Sequence, residues 1–218
     1  MNSLLRPLFG AVLACTALAA QAFPLLSLTA SPGTVSVGSV VNIELLVSGL
    51  GDQTAPSLGA FDVIIAFNPA LLSPAGVAFD TGLGDPNASP PEAYTSADTS
   101  VAGTVNLIDT SVLEANASTC VFCVPPYLDD LQGSAFRLAT LTFTANGPGT
   151  AVMSLTINAL ADAQGEALEA DIEGTTVTVV GASAPGSLML LILGCAGLSG
   201  FARRGAGARG KSAAALDG

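Results

Sequence analysis

"AFDVIIAFNPALL", residues 60 to 72, decides the fold class. Phe61, Val63, Ile65 and Phe67 fall on one side of an extended chain, Ile64 and Ala66 fall on the other, and Asn68-Pro69 ends the run. Side chains alternate across a strand with a period of two, and a run that is apolar on both sides fits a strand inside a sheet. An Asn-Pro pair favours a turn. The stretch therefore reads as a central β-strand that closes in a tight connection.

The same period runs through the surrounding chain. In "SVVNIELLVSG", residues 39 to 49, Val41, Ile43, Leu45 and Val47 share one face while Asn42, Glu44 and Ser48 share the other, the pattern of a half-buried strand. Further strands are expected at 76–79, 104–110, 138–144, 151–159 and 175–180, with Gly, Pro, Asn and Asp clusters between them. In 151–159, Met153, Leu155 and Ile157 alternate with Ser154, Thr156 and Asn158. The expected class is all-β: a two-sheet β-sandwich with jelly-roll topology and about nine strands, plus a short C-terminal apolar helix. Two stretches read as long loops, 81–100 and 111–134. "SPPEA" in the first, with its paired prolines, is unsuited to a central strand.

Composition divides the chain into a body and two ends. Residues 1–22 carry Arg6, an apolar stretch at 8–20 and the small-x-small end Ala20-Gln21-Ala22, the pattern of a secretory signal peptide cut before Phe23. A competing reading takes residues 12–15 as a lipoprotein box with Cys15 as the lipidated N-terminus. Of the six basic residues only Arg137 lies in the body, and of the 17 acidic ones only Asp217 lies outside it, so the body carries 1 − 16 = −15. Such a surface repels nucleic-acid phosphates and anionic lipid heads, which excludes nucleic acid as a partner.

At the other end, the apolar run 188–201 reaches only ~21 Å as a helix against a hydrocarbon core of ~30 Å. Arg203, Arg204, Arg209 and Lys211 follow it and favour a cytoplasmic tail with the body outside. The expected divisions are 1–22 as signal peptide, 23–182 as sandwich, 183–204 as sorting and membrane segment, and 205–218 as a basic, Gly/Ala-rich cytoplasmic tail.

Several sites of chemistry can be weighed residue by residue. The chain has no histidine, and its body has no lysine, which removes the usual general base, the Ser-His-Asp and Cys-His arrangements and Schiff-base chemistry. The adjacent carboxylates Asp129 and Asp130 are the remaining candidate for hydrolysis, although sequence neighbours seldom converge on one substrate. No catalytic residue is assigned.

Cys120 and Cys123, the only cysteines of the body, are expected to form a small disulfide clip, because an exported chain meets oxidising conditions. A zinc site is not expected, since two cysteines without histidine fall short of four ligands. Asp162, Gln164 and Glu166 have a spacing faintly like the start of a calcium loop, but a hairpin turn is the favoured reading and no cofactor is expected. Arg137 shares strand parity with Leu141 and Phe143. It must either lean inward against a carboxylate or be turned to solvent by a bulge. Tyr94 and Tyr127, both expected in loops, are the available rings for glycan contact.

Three segments carry a resemblance. "PGTVSVG" at 32–38, "AFDVIIAFNPAL" at 60–71 and "LATLTF" at 138–143 resemble the bacterial cohesin family, over residues 28–179. The resemblance implies a nine-stranded jelly roll that docks a calcium-loaded dockerin through one sheet face and neighbouring loops. A carbohydrate-binding module for extracellular polysaccharide is the alternative within the same superfamily. The tail resembles the PEP-CTERM sorting signal, keeping Pro185, Gly186, Ser187, Leu188 and the pair Arg203 and Arg204, with Ser183 and Ala184 in place of the usual Pro and Glu. It implies an exosortase-type processing enzyme as a partner, attachment to the inner membrane during sorting, and a final place at the cell surface or outside the cell.

Overall fold

The structure is a computed structural model that describes residues 23–120 and 122–181. The expected signal peptide, sorting segment and tail, with Pro185, Gly186, Ser187, Leu188, Arg203 and Arg204, lie outside the described residues. The strands, in chain order, are β1 (Leu25–Ser31), β2 (Thr34–Ser36), β3 (Val40–Ser48), β4 (Leu58–Ala66), β5 (Leu72–Phe79), β6 (Ala93–Asp98), β7 (Thr104–Ser111), β8 (Ala135–Ala145), β9 (Gly149–Asp162), β10 (Asp171–Glu173) and β11 (Thr175–Val180). One helical turn, α1 (Leu128–Leu131), precedes β8.

Two sheets form a sandwich, one in the order β10-β1-β3-β8-β5 and the other β2-β11-β9-β4-β7-β6. From β3 to β6 each successive strand crosses to the opposite sheet, the winding expected of a jelly roll. Among the described residues the strands number eleven rather than about nine because two paths are broken in short pieces. Pro32-Gly33 splits β1 from β2, which then pairs with the other sheet. Gly174 splits β10 from β11 where a Cβ would collide with the Met153 carbonyl.

The quoted strand occupies the expected place. β4 lies between β9 and β7, with Phe61, Val63 and Ile65 buried, and Phe67 just beyond it meets Phe143 edge to face at 5.0 Å. Val41, Ile43, Leu45 and Val47 of β3 and Leu141 and Phe143 of β8 supply the opposite wall. Burying each such side chain contributes roughly 1.5–3 kcal/mol, which makes this interlayer the main source of stability.

Register places the connections at two unlike ends. Antiparallel pairs Leu25↔Ser48, Ser48↔Ala135, Leu58↔Asp162 and Ala93↔Ser111 bring the starts of β1, β4, β6 and β8 together with the ends of β3, β7 and β9. This end carries the long connections 49–57, 80–92, 112–134 and 163–170. Asp52 lies in the first, Asp80, Asp85 and Glu92 in the second, Glu114, Asp129 and Asp130 in the third, and Glu166 and Glu169 in the fourth. Among the described residues, the opposite end has the short turns 32–33, 37–39, 67–71, 99–103 and 146–148, which hold no charged residue, although the exposed Asp98 that ends β6 borders one of them, and β11 finishes there.

The long connections are tied together by Gln132. Its side chain accepts from the Leu58 N–H at 2.7 Å and donates to the carbonyls of Leu58 at 2.7 Å and Gly82 at 3.0 Å, while its own carbonyl accepts from the Gln53 N–H. One buried amide thus joins β4 to three connections, filling backbone valences that would otherwise be left unpaired in the interior.

Candidate docking face

The two outer faces of the sandwich differ in chemistry. On the five-stranded sheet, a β-bulge slips the pairing so that Leu45 opposes Ala139 while Leu46 opposes Arg137, leaving Leu138 and Ala139 both buried. The extra residue reverses the parity before it, and Arg137 emerges on the solvent side. There it bonds Glu44 at 3.0 Å and Asp80 at 2.9 Å. These contacts hold its guanidinium pKa above the ordinary value, the Glu44 hydrogen bond first and Asp80 second. The sole cation of the body is therefore engaged by its own chain.

The outer face of the six-stranded sheet carries few charges. Register aligns Tyr94 with Thr110 and Ala60; Ser96 with Ile108, Asp62 and Ala159; and Asp98 with Asn106, Ile64 and Thr156. Tyr94 is 63% exposed and Ile108 36%, amid hydroxyls and small side chains. Asp62 stands in the middle and accepts from the amides of Asn106 at 2.6 Å and Asn158 at 3.0 Å. A second bulge makes the latter contact, since β9 carries Asn158 as an extra residue between the partners of Asp62 and Val63. The result is a broad, gently polar face with an apolar strip, held by amides that fix the central carboxylate.

The residues singled out in the sequence separate on this frame. Tyr94 lies on edge strand β6, correcting its placement in a loop running from 81 to 100; the loop ends at Glu92 and a strand follows. Tyr127 precedes α1, half-buried, with its hydroxyl donating to the Cys123 carbonyl at 2.9 Å, so the two rings make no shared platform. Cys120 and Cys123 are bonded to each other. Glu114 approaches their sulfurs, but sulfurs in a disulfide are not thiolates and do not form a metal site with it.

The Asp162 carboxylate accepts from the N–H groups of Gln164 and Glu166, each at 2.9 Å, and the segment forms a hairpin with Gln164 and Glu166 exposed. That carboxylate serves the turn. Asp129 is buried and accepts from the Asn116 amide at 2.9 Å, whereas Asp130 is exposed, so the adjacent pair points to different surroundings. A hollow of about 480 Å³ at the long-connection end is lined by Phe23, Pro24, Leu50, Pro56 and Leu168, with Glu169 its one charged side chain. Catalysis by paired groups has no converging pair there.

Asp109 escaped the sequence reading. It sits on β7 facing inward, 1% exposed, with its Oδ1 unpartnered. Burial pushes its carboxyl up to about 7, against the smaller opposing effect of the Thr110 N–H.

Neither a protein-family model nor a curated protein matches the chain in sequence. Its fold, however, is that of the cohesin modules. The cohesin CaCohA2 from Clostridium acetobutylicum aligns over 76% of this chain and 95% of its own at 19% identity, TM-score 0.53. The sixth cohesin of Acetivibrio cellulolyticus scaffoldin B, solved in complex with a Cel5 dockerin, aligns over 72% and 99% at 12% identity, TM-score 0.54. A non-cellulosomal cohesin from the archaeon Archaeoglobus fulgidus aligns over 73% and 92% at 11% identity, TM-score 0.51. The described residues share the cohesin fold. Among the described residues no helix is long and apolar enough to cross a membrane.

Proposed function

We propose that the chain is an exported, non-enzymatic adhesion module whose six-stranded face docks a partner protein of the dockerin type. The reading is carried by one observation: a cohesin-like sandwich whose six-stranded face presents Tyr94, Ile108 and Ile64 around an amide-held Asp62, while the Glu44–Arg137–Asp80 ion pairs lie on the other face. Apolar strips rimmed by satisfied polar groups suit protein partners. The test is binding of calcium-loaded dockerin modules by the chain and by Ile108→Asp, which should weaken binding at least about tenfold. Failure of every dockerin to bind, or indifference to the substitution, sinks this reading.

Export and sorting are part of the same proposal. The leader delivers the body across the inner membrane, the C-terminal segment holds it there, and an exosortase-type enzyme releases it to the surface or beyond. Intact mass of the protein recovered from cells checks both cuts: a mass beginning at Phe23 and lacking the tail is expected, and an uncut chain overturns it. Polysaccharide binding rests on Tyr94 alone. A glycan array on which Tyr94→Ala abolishes saturable binding would favour it over the protein partner.

A further inference from the structure

The connection 112–134 combines an unusual exposure with an unusual amount of support. Phe122 is 94% exposed and Val124 78%, and Val112 and Leu131 of the same connection are exposed as well. A loop with these side chains would ordinarily fold them against itself, because each buried apolar group is stabilising. Here the covalent frame holds the tip open. The Cys120–Cys123 bond closes the chain around Phe122, and the Tyr127 hydroxyl anchors the Cys123 carbonyl from below. Asn116 secures the base by accepting from the Ser118 N–H at 3.0 Å and donating to buried Asp129 at 2.9 Å, while the Thr119 hydroxyl reaches Glu114 at 3.3 Å. Val112, at the root, is tied to the Glu92 carbonyl.

The surroundings select the partner. The tip belongs to the end of the sandwich whose connections hold nine acidic residues, and the only cation of the body is already paired with Glu44 and Asp80. A second copy or an anionic lipid surface would bring like charge against like charge. A cationic protein would not.

We propose that the stapled tip around Phe122 and Val124 is a second docking element, separate from the sheet face, for a partner protein whose apolar recess is rimmed by Lys or Arg. The contact seats an apolar anchor within complementary charge, so affinity falls as salt screens the acidic end. The experiment uses the full chain with three probes: a basic amphipathic Leu/Lys peptide, its Leu/Glu counterpart, and vesicles containing phosphatidylglycerol. Binding is followed by fluorescence anisotropy and co-sedimentation.

The expected result is salt-sensitive binding of the basic peptide, weakened at least about tenfold by Phe122→Ser with Val124→Ser and unchanged by Ile108→Asp. Both serine sites are exposed, so a thermal melt matching the parent chain accompanies that loss. Equal binding of the Leu/Glu peptide, indifference to the serine variant or no binding of the basic peptide overturns the proposal. So does self-association or vesicle binding that depends on Phe122, since either names a different occupant. Loss through Ile108→Asp alone would instead assign the peptide to the sheet face, which separates failure here from failure of the dockerin reading.

Discussion

Asp109 is an acid that the fold keeps away from water without a cation to answer it. Its native pKa of about 7 lies above the unfolded value near 3.9, so between those values the folded chain holds a proton that the unfolded chain has lost. Stability from this group therefore falls as pH rises from about 4 to about 7 and stays low above that. Asp109→Asn should melt several degrees higher than the parent at pH 8, with the gain gone by pH 4. An equal gain at both pH values would show that charge is not the cause. Gln132 makes the opposite case, a buried polar group with every valence used. Gln132→Ala strands the N–H and carbonyl of Leu58, each worth about 1–3 kcal/mol when unpaired in the interior, and an unfolding free energy lowered by about 3 kcal/mol in urea denaturation is expected.

Strands differ in what they contribute. Phe61 on β4 packs between sheets and against Phe79, so Phe61→Ala should cost about 3–5 kcal/mol in urea denaturation. Tyr94 on the rim strand β6 stands on an exposed face, and Tyr94→Ala should stay within about 0.5 kcal/mol. The same contrast explains what could be read from sequence. β3, β9 and β11 are legible because each alternates between core and solvent, β4 because it is apolar on both sides, and their positions fall close to expectation. β6 is not, because in "AYTSAD" only Ala93 is buried, so no apolar period announces it; β7 alone recruits it into the sheet. β2 and β10, three residues each, exist only where a neighbour supplies hydrogen bonds. Parity misleads once, at Arg137, where one inserted residue turns the guanidinium outward. The candidate docking face is illegible for a related reason. Asp62, Asn106 and Asn158 meet across separations of 44 and 96 residues, and only strand order brings them together.

At the scale of the molecule, sixteen acids against one base make the body repel itself, and the paired Arg137 relieves little of that. Monovalent salt should therefore raise the melting temperature by a few degrees, as screening removes on the order of 1 kcal/mol of repulsion. A melt independent of salt would mean that the charges are too far apart to matter. The two ends of the sandwich carry a further consequence. β11 runs out at the charge-free turns, while β9 extends for 14 residues, roughly 45 Å, toward the opposite end. In the proposed membrane-held form, the end where β11 finishes, with Asp98 the acid beside its turns, faces the lipid, and the acidic long connections stand at the far end, open to a partner.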